Sequence, residues 1–165
     1  MAQEPPFLLP DKKELAKIRS GKIFLDVGVI DFELYPEDAP WHVANFKWLA
    51  DQKFYDGLPF HIVKKEYLVQ AGEIPDEKIK DFFYKLPAEF NDREHVTGTL
   101  GMARLPDEKN ALRESSSTQF HILMRDVSLM NGNYTAFGKV TSGLSLLPKI
   151  QRGDRIRKLI VYVSK

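Results

Sequence analysis

The sequence predicts a mostly β domain: a closed eight-stranded antiparallel β-barrel capped by two α-helices, with a short N-terminal helical extension. Two observations carry this. Eight short segments are dense in β-branched and aromatic residues and follow a period of two, the mark of strands. Only two longer stretches of the main domain read as helical, and they lie far apart in the chain. Many short strands with few helices favour a sheet closed on itself, with helices over its ends. No internal repeat or low-complexity tract argues for a solenoid or a fibre.

Taken in order, residues 2–10 hold three prolines and read as an extended lead-in. Asp11 is placed to cap a helix through "KKELAKIR" that ends at Gly21. Residues 1–20 are therefore expected as an extension and 21–165 as the main domain. "KIFLDV" and "VIDFELY" are strands joined tightly near Gly28. "PEDAPWHVANFKWLADQ" is helical, with Asp38 as N-cap and Pro40 in the first turn, where its missing N–H costs little. Val43, Phe46, Leu49 and Ala50 form its apolar stripe. "FYDGLPFHIV" and "EYLVQAG" are strands split by a Lys64-Lys65 turn. Residues 73–97 are polar and irregular, a surface loop with a helical turn. "GTLGMAR" and "STQFHILM" are strands separated by the charged loop "LPDEKNALRESS". Asn131-Gly132 is a hairpin-type turn signal before the strand "YTAFGKV". "SGLSLLPKIQ" is expected as the second helix, capped by Ser142, with Pro148 early in it or kinking it. "RKLIVYVS" closes the chain as a strand.

Composition narrows the function. A chain of 165 residues with 43% apolar and 28% charged content suits one globular domain. A net charge of +1 argues against nucleic-acid or anionic-membrane binding driven by bulk charge. No apolar run reaches the ~18 residues that a membrane span needs. There is no cysteine, which excludes disulfides, zinc–thiolate sites and cysteine nucleophiles but leaves the compartment open. "AQEPP" after Met1 is not a signal peptide and suits two starts equally: a cytoplasmic one, or a mature N-terminus after signal removal. A monomer is expected.

Phosphate-binding loops of the GxxxxGK or GxGxxG type do not occur. His42, His61, His95 and His121 have no metal-ligand spacing, and no metal or cofactor is expected. Ser115, Ser116 and Ser117 lie in a polar loop without the strand–turn–helix elbow of a hydrolase. Asp107-Glu108 reads as solvated loop charge. What remains is a set of polar groups inside apolar strands. Gln70 and Gln119 either face solvent or point into a concave surface, where uncharged donors orient a peptide-like ligand. His61 alone reads as a packed, hydrogen-bonded strand histidine. His121 is odder, because it stands where alternation wants an apolar group. Phe60, Leu68, Met102 and Leu129 are each candidates for core.

In this order and spacing the motifs resemble the cyclophilins, the cyclosporin-binding class of peptidyl-prolyl cis-trans isomerases. "ELYPEDAP…VANF…LA" is similar to the family's first strand–helix segment, "FYDGLPFH" to FYDG-x-x-FHR, and "YLVQAG" to FMIQGG. "GTLGMAR" is similar to GTLSMAR, "STQFHI" to GSQFFI, and "NGNYTAFGKV…GLSLLPKI" to the closing hairpin and helix. The resemblance spans about residues 22–163 and leaves residues 1–20 uncovered. It implies the capped barrel and an isomerase acting on X–Pro bonds during protein folding. Its partners are then proline-containing peptides or unfolded clients.

Carried over by position, the resemblance places Phe60, Tyr67, Leu68, Gln70, Ala103, Arg104, Gln119, His121, Leu129, Met130 and Tyr134 in the substrate groove. His61 is the counterpart of the family's active-site histidine. Five positions depart. The catalytic arginine is Ile62, and the phenylalanine at the floor of the proline pocket is His121. The tryptophan that helps bind cyclosporin in many members is Leu129. A glycine of the QGG step is Ala71, and the serine of GTLSMAR is Gly101. Reduced turnover is therefore expected, with a non-catalytic client-binding module on the same fold as the alternative. Arg104 is not read as a substitute donor, because similar motifs carry arginine there too. Cyclosporin binding is expected to be weak. Because His121 stands in the proline pocket, peptide binding is expected to weaken as pH falls through about 6.5.

Overall fold

The computed structural model describes residues 3–165. Asp11 caps α1 (Lys12–Leu15) by accepting the Glu14 N–H at 2.9 Å. The helix expected through "KKELAKIR" is thus one turn long, and β1 (Ile18–Leu25) starts straight after it. Gly21 is no helix stop. It sits inside β1, paired with Phe32 on one side and Val161 on the other. A Cβ there would lie 2.3 Å from the Phe32 ring. Pairing on both sides outweighs the helix propensity of a segment too short to hold a helix unaided.

A two-residue turn, Asp26-Val27, leads into β2 (Gly28–Leu34). Then comes α2 (Pro40–Asp51), whose N-cap is Ala39 rather than Asp38. Asp38 instead accepts from Arg93 Nε at 3.0 Å. The helix takes its cap from a distant residue. The Glu89 carboxylate accepts the backbone N–H groups of Trp41 at 3.1 Å and His42 at 2.9 Å, where negative charge suits the helix dipole. Next come β3 (Phe60–Lys64), β4 (Leu68–Ala71), a 3-10 turn (Asp76–Lys78), α3 (Ile79–Phe82), β5 (Lys85–Leu86) and β6 (Thr99–Met102). The chain continues through β7 (Ser115–Ser116), β8 (Phe120–Leu123), β9 (Ala136–Ser142) and β10 (Lys158–Val163).

The expected second helix is not α-helical. Ser142 ends β9, Gly143 turns the chain at φ 96°, and Leu144–Lys149 is a 3-10 segment containing Pro148. Proline lacks the N–H that an α-helix needs, which leaves too few residues for one. Asn131-Gly132 is not a hairpin turn either. Asn131 (φ −60°, ψ 125°) and Gly132 (φ 72°) form a type II turn after the 3-10 segment Ser128–Met130, with Asn133 N–H donating to Met130 O at 3.0 Å.

All eight expected strands enter one antiparallel sheet, in the order β10-β1-β2-β9-β6-β8-β4-β3, and β5 pairs with β7 apart from it. The sheet curls but does not close, which corrects the closed barrel. Only the segments leading into its two end strands meet, at one bridge, Pro59 with Arg155, flanked by Ile156 N–H to Leu58 O at 2.9 Å, Phe60 N–H to Asp154 O at 2.8 Å and Gly153 N–H to Phe60 O at 3.0 Å. The chain before β10 turns at Gly153 (φ 93°) and cannot run on as a strand beside β3.

The core is aromatic. Phe46 of α2 meets the rings of Phe32, Tyr55, Phe120 and Phe137 at centroid distances of 5.7, 5.4, 5.2 and 5.1 Å. Beside it, fully buried His42 places Nδ1 at 2.6 Å from Glu89 Oε1 and Nε2 at 2.7 Å from Ser115 Oγ. This carboxylate–imidazole–hydroxyl chain has the connectivity of a hydrolase triad. Ser115, however, is itself buried in β7, so the chain braces the fold. Glu89→Ala would strip two helix N–H groups and a buried imidazole of their acceptor. The expected outcome is a loss of about 1–3 kcal/mol in urea unfolding; an unchanged midpoint would show that the network contributes nothing.

Candidate functional site

Strand register sets the site. Ile62 stands opposite Gln70, Gln70 opposite His121, and His121 opposite Gly101, in one row across β3, β4, β8 and β6. Residues of one row project from the same face of a pleated sheet, with directly opposed Cβ atoms about 4.5–5.5 Å apart. The neighbouring row, Phe60, Ala71, Phe120 and Met102, projects the other way and is fully buried. Phe60 and Met102 are therefore core, and Phe60 lies beneath the groove rather than in it.

Polar groups gather at one end of the outer row. Gln119 Oε1 accepts from Gln70 Nε2 and from His61 Nε2, each at 3.1 Å. With that acceptor, His61 carries its proton on Nε2, and its Nδ1 is buried without a partner. Gly72, just past β4, lets Gln70 come this close. At φ 98° it approaches Thr118 O, which a Cβ would meet at 2.1 Å.

Apolar groups gather at the other end. Leu68, Leu123 and Met130 are buried together, with Ile62, Tyr67, Val127 and Tyr134 packed around them. Ile62 is thus part of a continuous apolar patch. Leu129 is not core: its side chain is 86% exposed at the lip. Ala103 and Arg104 follow β6. Arg104 is held through two of its three nitrogens, with Nε donating to Asn133 O at 2.7 Å and Nη1 to Leu105 O and Asp107 Oδ1, each at 3.0 Å, while its guanidinium lies 4.8 Å from the Tyr134 ring. Asp107 also accepts from Arg113 and so braces this loop instead of standing as free solvated charge. Past Gln70 and Gln119 the groove opens into a cleft of about 380 Å³ walled by Ile74, Phe83, Tyr84 and Ala103.

His121 and Gly101 belong together. His121 is 2% exposed, packs edge-on against Tyr134 at 6.1 Å, and leaves Nε2 buried and unpartnered. A Cβ on residue 101 would lie 2.4 Å from that nitrogen. The imidazole fills the space that a serine at 101 would occupy. Two departures that stand 20 positions apart in the sequence are one packing change.

Two features carry no local sequence signal. The exposed Arg125 guanidinium lies 4.6 Å from the Tyr67 ring at the groove's edge, and the Glu89–His42–Ser115 chain joins residues up to 73 positions apart. Among the described residues, no three His, Asp or Glu side chains gather to hold a metal.

In sequence and in fold the chain is similar to known proteins. A family model described as cyclophilin type peptidyl-prolyl cis-trans isomerase/CLD matches residues 21–162. Peptidyl-prolyl cis-trans isomerase B of Bacillus subtilis is 37% identical over 147 residues, covering 87% of this chain and 99% of the relative. A peptidyl-prolyl cis-trans isomerase of Helicobacter pylori is 35% identical over 162 residues, covering 93% of each. In fold, the chain is similar to the crystal structure of a Cryptosporidium parvum cyclophilin type isomerase (TM-score 0.76, 21% identity, 90% of this chain and 99% of that one). A second structure of that protein was determined in the presence of the dipeptide Ala-Pro (TM-score 0.74, 21% identity, 87% and 99% covered).

Burial, and then the neighbouring His95, push the His121 imidazole down to about 3. It stays neutral where a free histidine would titrate, so the expected weakening of binding near 6.5 does not arise from this residue. The cost appears in stability instead. Between about 3 and 6.5 the unfolded chain binds a proton here that the folded chain does not, so stability falls as pH falls, by about 1.4 kcal/mol per unit well below 6.5. Burial lowers His95 as well, with the same sign. The expected outcome is weaker urea resistance at pH 5 than at pH 7.5, with a flatter profile in His121→Phe. An unaltered profile in that variant would refute the assignment.

Proposed function

Because the chain belongs to the cyclophilin-type peptidyl-prolyl cis-trans isomerase family, we propose that it isomerises X–Pro bonds in peptides and unfolded clients at a reduced rate, set by Ile62. The observation that carries this reading is the row Ile62–Gln70–His121–Gly101: the amide donors are in place, and the position of the cationic donor is hydrocarbon.

Isomerisation breaks no covalent bond. Amide resonance sets a rotational barrier of about 18–20 kcal/mol. In the twisted transition state the prolyl nitrogen loses conjugation and becomes a better hydrogen-bond acceptor. A donor aimed at it favours the twisted state over both planar ones, and that difference is the catalysis. Ile62 donates nothing. Gln70 and Gln119 still offer uncharged groups to hold the peptide, and the patch of Leu68, Met130 and Tyr134 offers an apolar seat for the proline ring. Losing one aligned donor costs about 10²–10³-fold in other enzymes, and turnover here is reduced on that scale. Arg104 does not take over, because its guanidinium is committed to Asn133, Leu105 and Asp107.

A second reading, client binding without turnover, draws on the same patch. Ile62 makes it continuous, so the surface that lost a donor gained apolar area for an unfolded chain.

The test is an isomerisation assay on an X–Pro peptide with the wild type, Ile62→Arg, and Ile62→Arg combined with His121→Phe. The expected outcome is slow wild-type turnover and a gain of about tenfold or more in kcat/KM on restoring the donor. Wild-type turnover equal to that of relatives with the arginine would overturn the role given to Ile62. Inactivity of every variant, with binding retained, would favour the second reading. Cyclosporin is expected to bind weakly, since the exposed Leu129 lacks an indole's area and its N–H; a tight complex in titration calorimetry would contradict this.

A further inference from the structure

The end of the sheet away from β10 carries a strand edge beside a recess. β3 is the last strand in the order and pairs only with β4. On its outer side Phe60 bonds to Asp154 and Gly153, and past Phe60 no backbone bond reaches His61, Ile62 or Val63 from that side among the described residues. Facing this free edge is the largest recess described, about 560 Å³, between β3 and the segment Leu147–Arg152. Its floor is apolar, built from Val63, Met124, Leu147, Pro148 and Ile150, and its rim carries Lys65, Glu66 and Arg152. Lys65 and Arg152 form no ion pair among the described residues.

An unpaired strand edge offers N–H and C=O groups to an incoming strand, and a recess beside it takes every second side chain. Two rim cations, Lys65 and Arg152, against one carboxylate, Glu66, select for acid on the partner. We propose that the β3 edge takes up an extended acidic segment of another protein chain, which adds to the sheet as a strand. Its apolar side chains enter the recess, and its Asp or Glu side chains meet Lys65 and Arg152. The segment needs no proline, and its seat is distinct from the Gln70–Gln119 groove. The site gives a second point of attachment for a client whose X–Pro bond lies in that groove, and so rests on the function proposed above.

The experiment uses the full chain and three fluorescein-labelled hexapeptides without proline: alternating Val and Glu, the same with Lys for Glu, and the Val-Glu peptide N-methylated at alternate amides. Binding is read by fluorescence anisotropy at low salt. The Val-Glu peptide is expected to bind at least tenfold more tightly than the Val-Lys peptide and to lose at least tenfold on N-methylation. Lys65→Glu with Arg152→Glu is expected to weaken it at least tenfold while X–Pro isomerisation is unchanged. Equal affinity for the acidic and basic peptides would overturn the proposal. So would undiminished binding after N-methylation, which would mean charge adsorption without strand pairing. Loss of binding in Gln119→Ala would place the peptide in the isomerase groove and overturn it too.

Discussion

Phe46 is the constraint on which the rest depends. Its ring is enclosed by Phe32, Tyr55, Phe120 and Phe137, so α2 has one depth and one rotation against the sheet. Polar side chains around it then reach a single target. Asn45 Nδ2 donates to Ser117 O and Tyr55 Oη to Thr118 O, each at 2.7 Å, and His42 meets Ser115. Tyr84 Oη donates in turn to Asn45 Oδ1. Three groups from the helix and the turn after it thereby hold Ser115–Thr118, and Gln119 is the next residue. The aim of Gln119 Oε1 at Gln70 and His61 is a consequence of aromatic packing on the opposite face of the sheet.

That arrangement explains how the groove can keep its frame while its chemistry changes. Ile62, His121 and Gly101 lie in one outer row with Gln70 between them. None of the three bears on the core row behind, so each can change without disturbing Phe60, Ala71, Phe120 or Met102. His121 and Gly101 change together because they share one volume. Ile62 brings no charge to the row: its hydrocarbon side chain is continuous with Leu68 and Met130.

Several sequence expectations failed although their local signals were present. Asp38 looked like the cap of α2, but Glu89, 47 residues away from His42, supplies the acceptor. Ser142 looked like the cap of a second helix, but the Gly143 turn and Pro148 leave room only for a 3-10 segment. Closure of the barrel failed because Gly153 turns the chain where an eighth pairing, between β3 and β10, would have run. In each case the local signal was real, and a long-range partner or a backbone constraint outweighed it.

The sequence by itself determined the eight strands, the helix around Phe46 and the family, because periodicity and motif order are properties of neighbours along the chain. It also showed that residue 62 carries no hydrogen-bond donor on its side chain, since that is a matter of residue type. Tertiary structure alone decided that Phe60 lies under the groove, that His121 is buried beyond the reach of ordinary titration, and that His121 and Gly101 are one feature. It decided as well that β3 ends the sheet with a free edge. These rest on register, burial and the space between side chains far apart in the chain, which residue order does not encode locally.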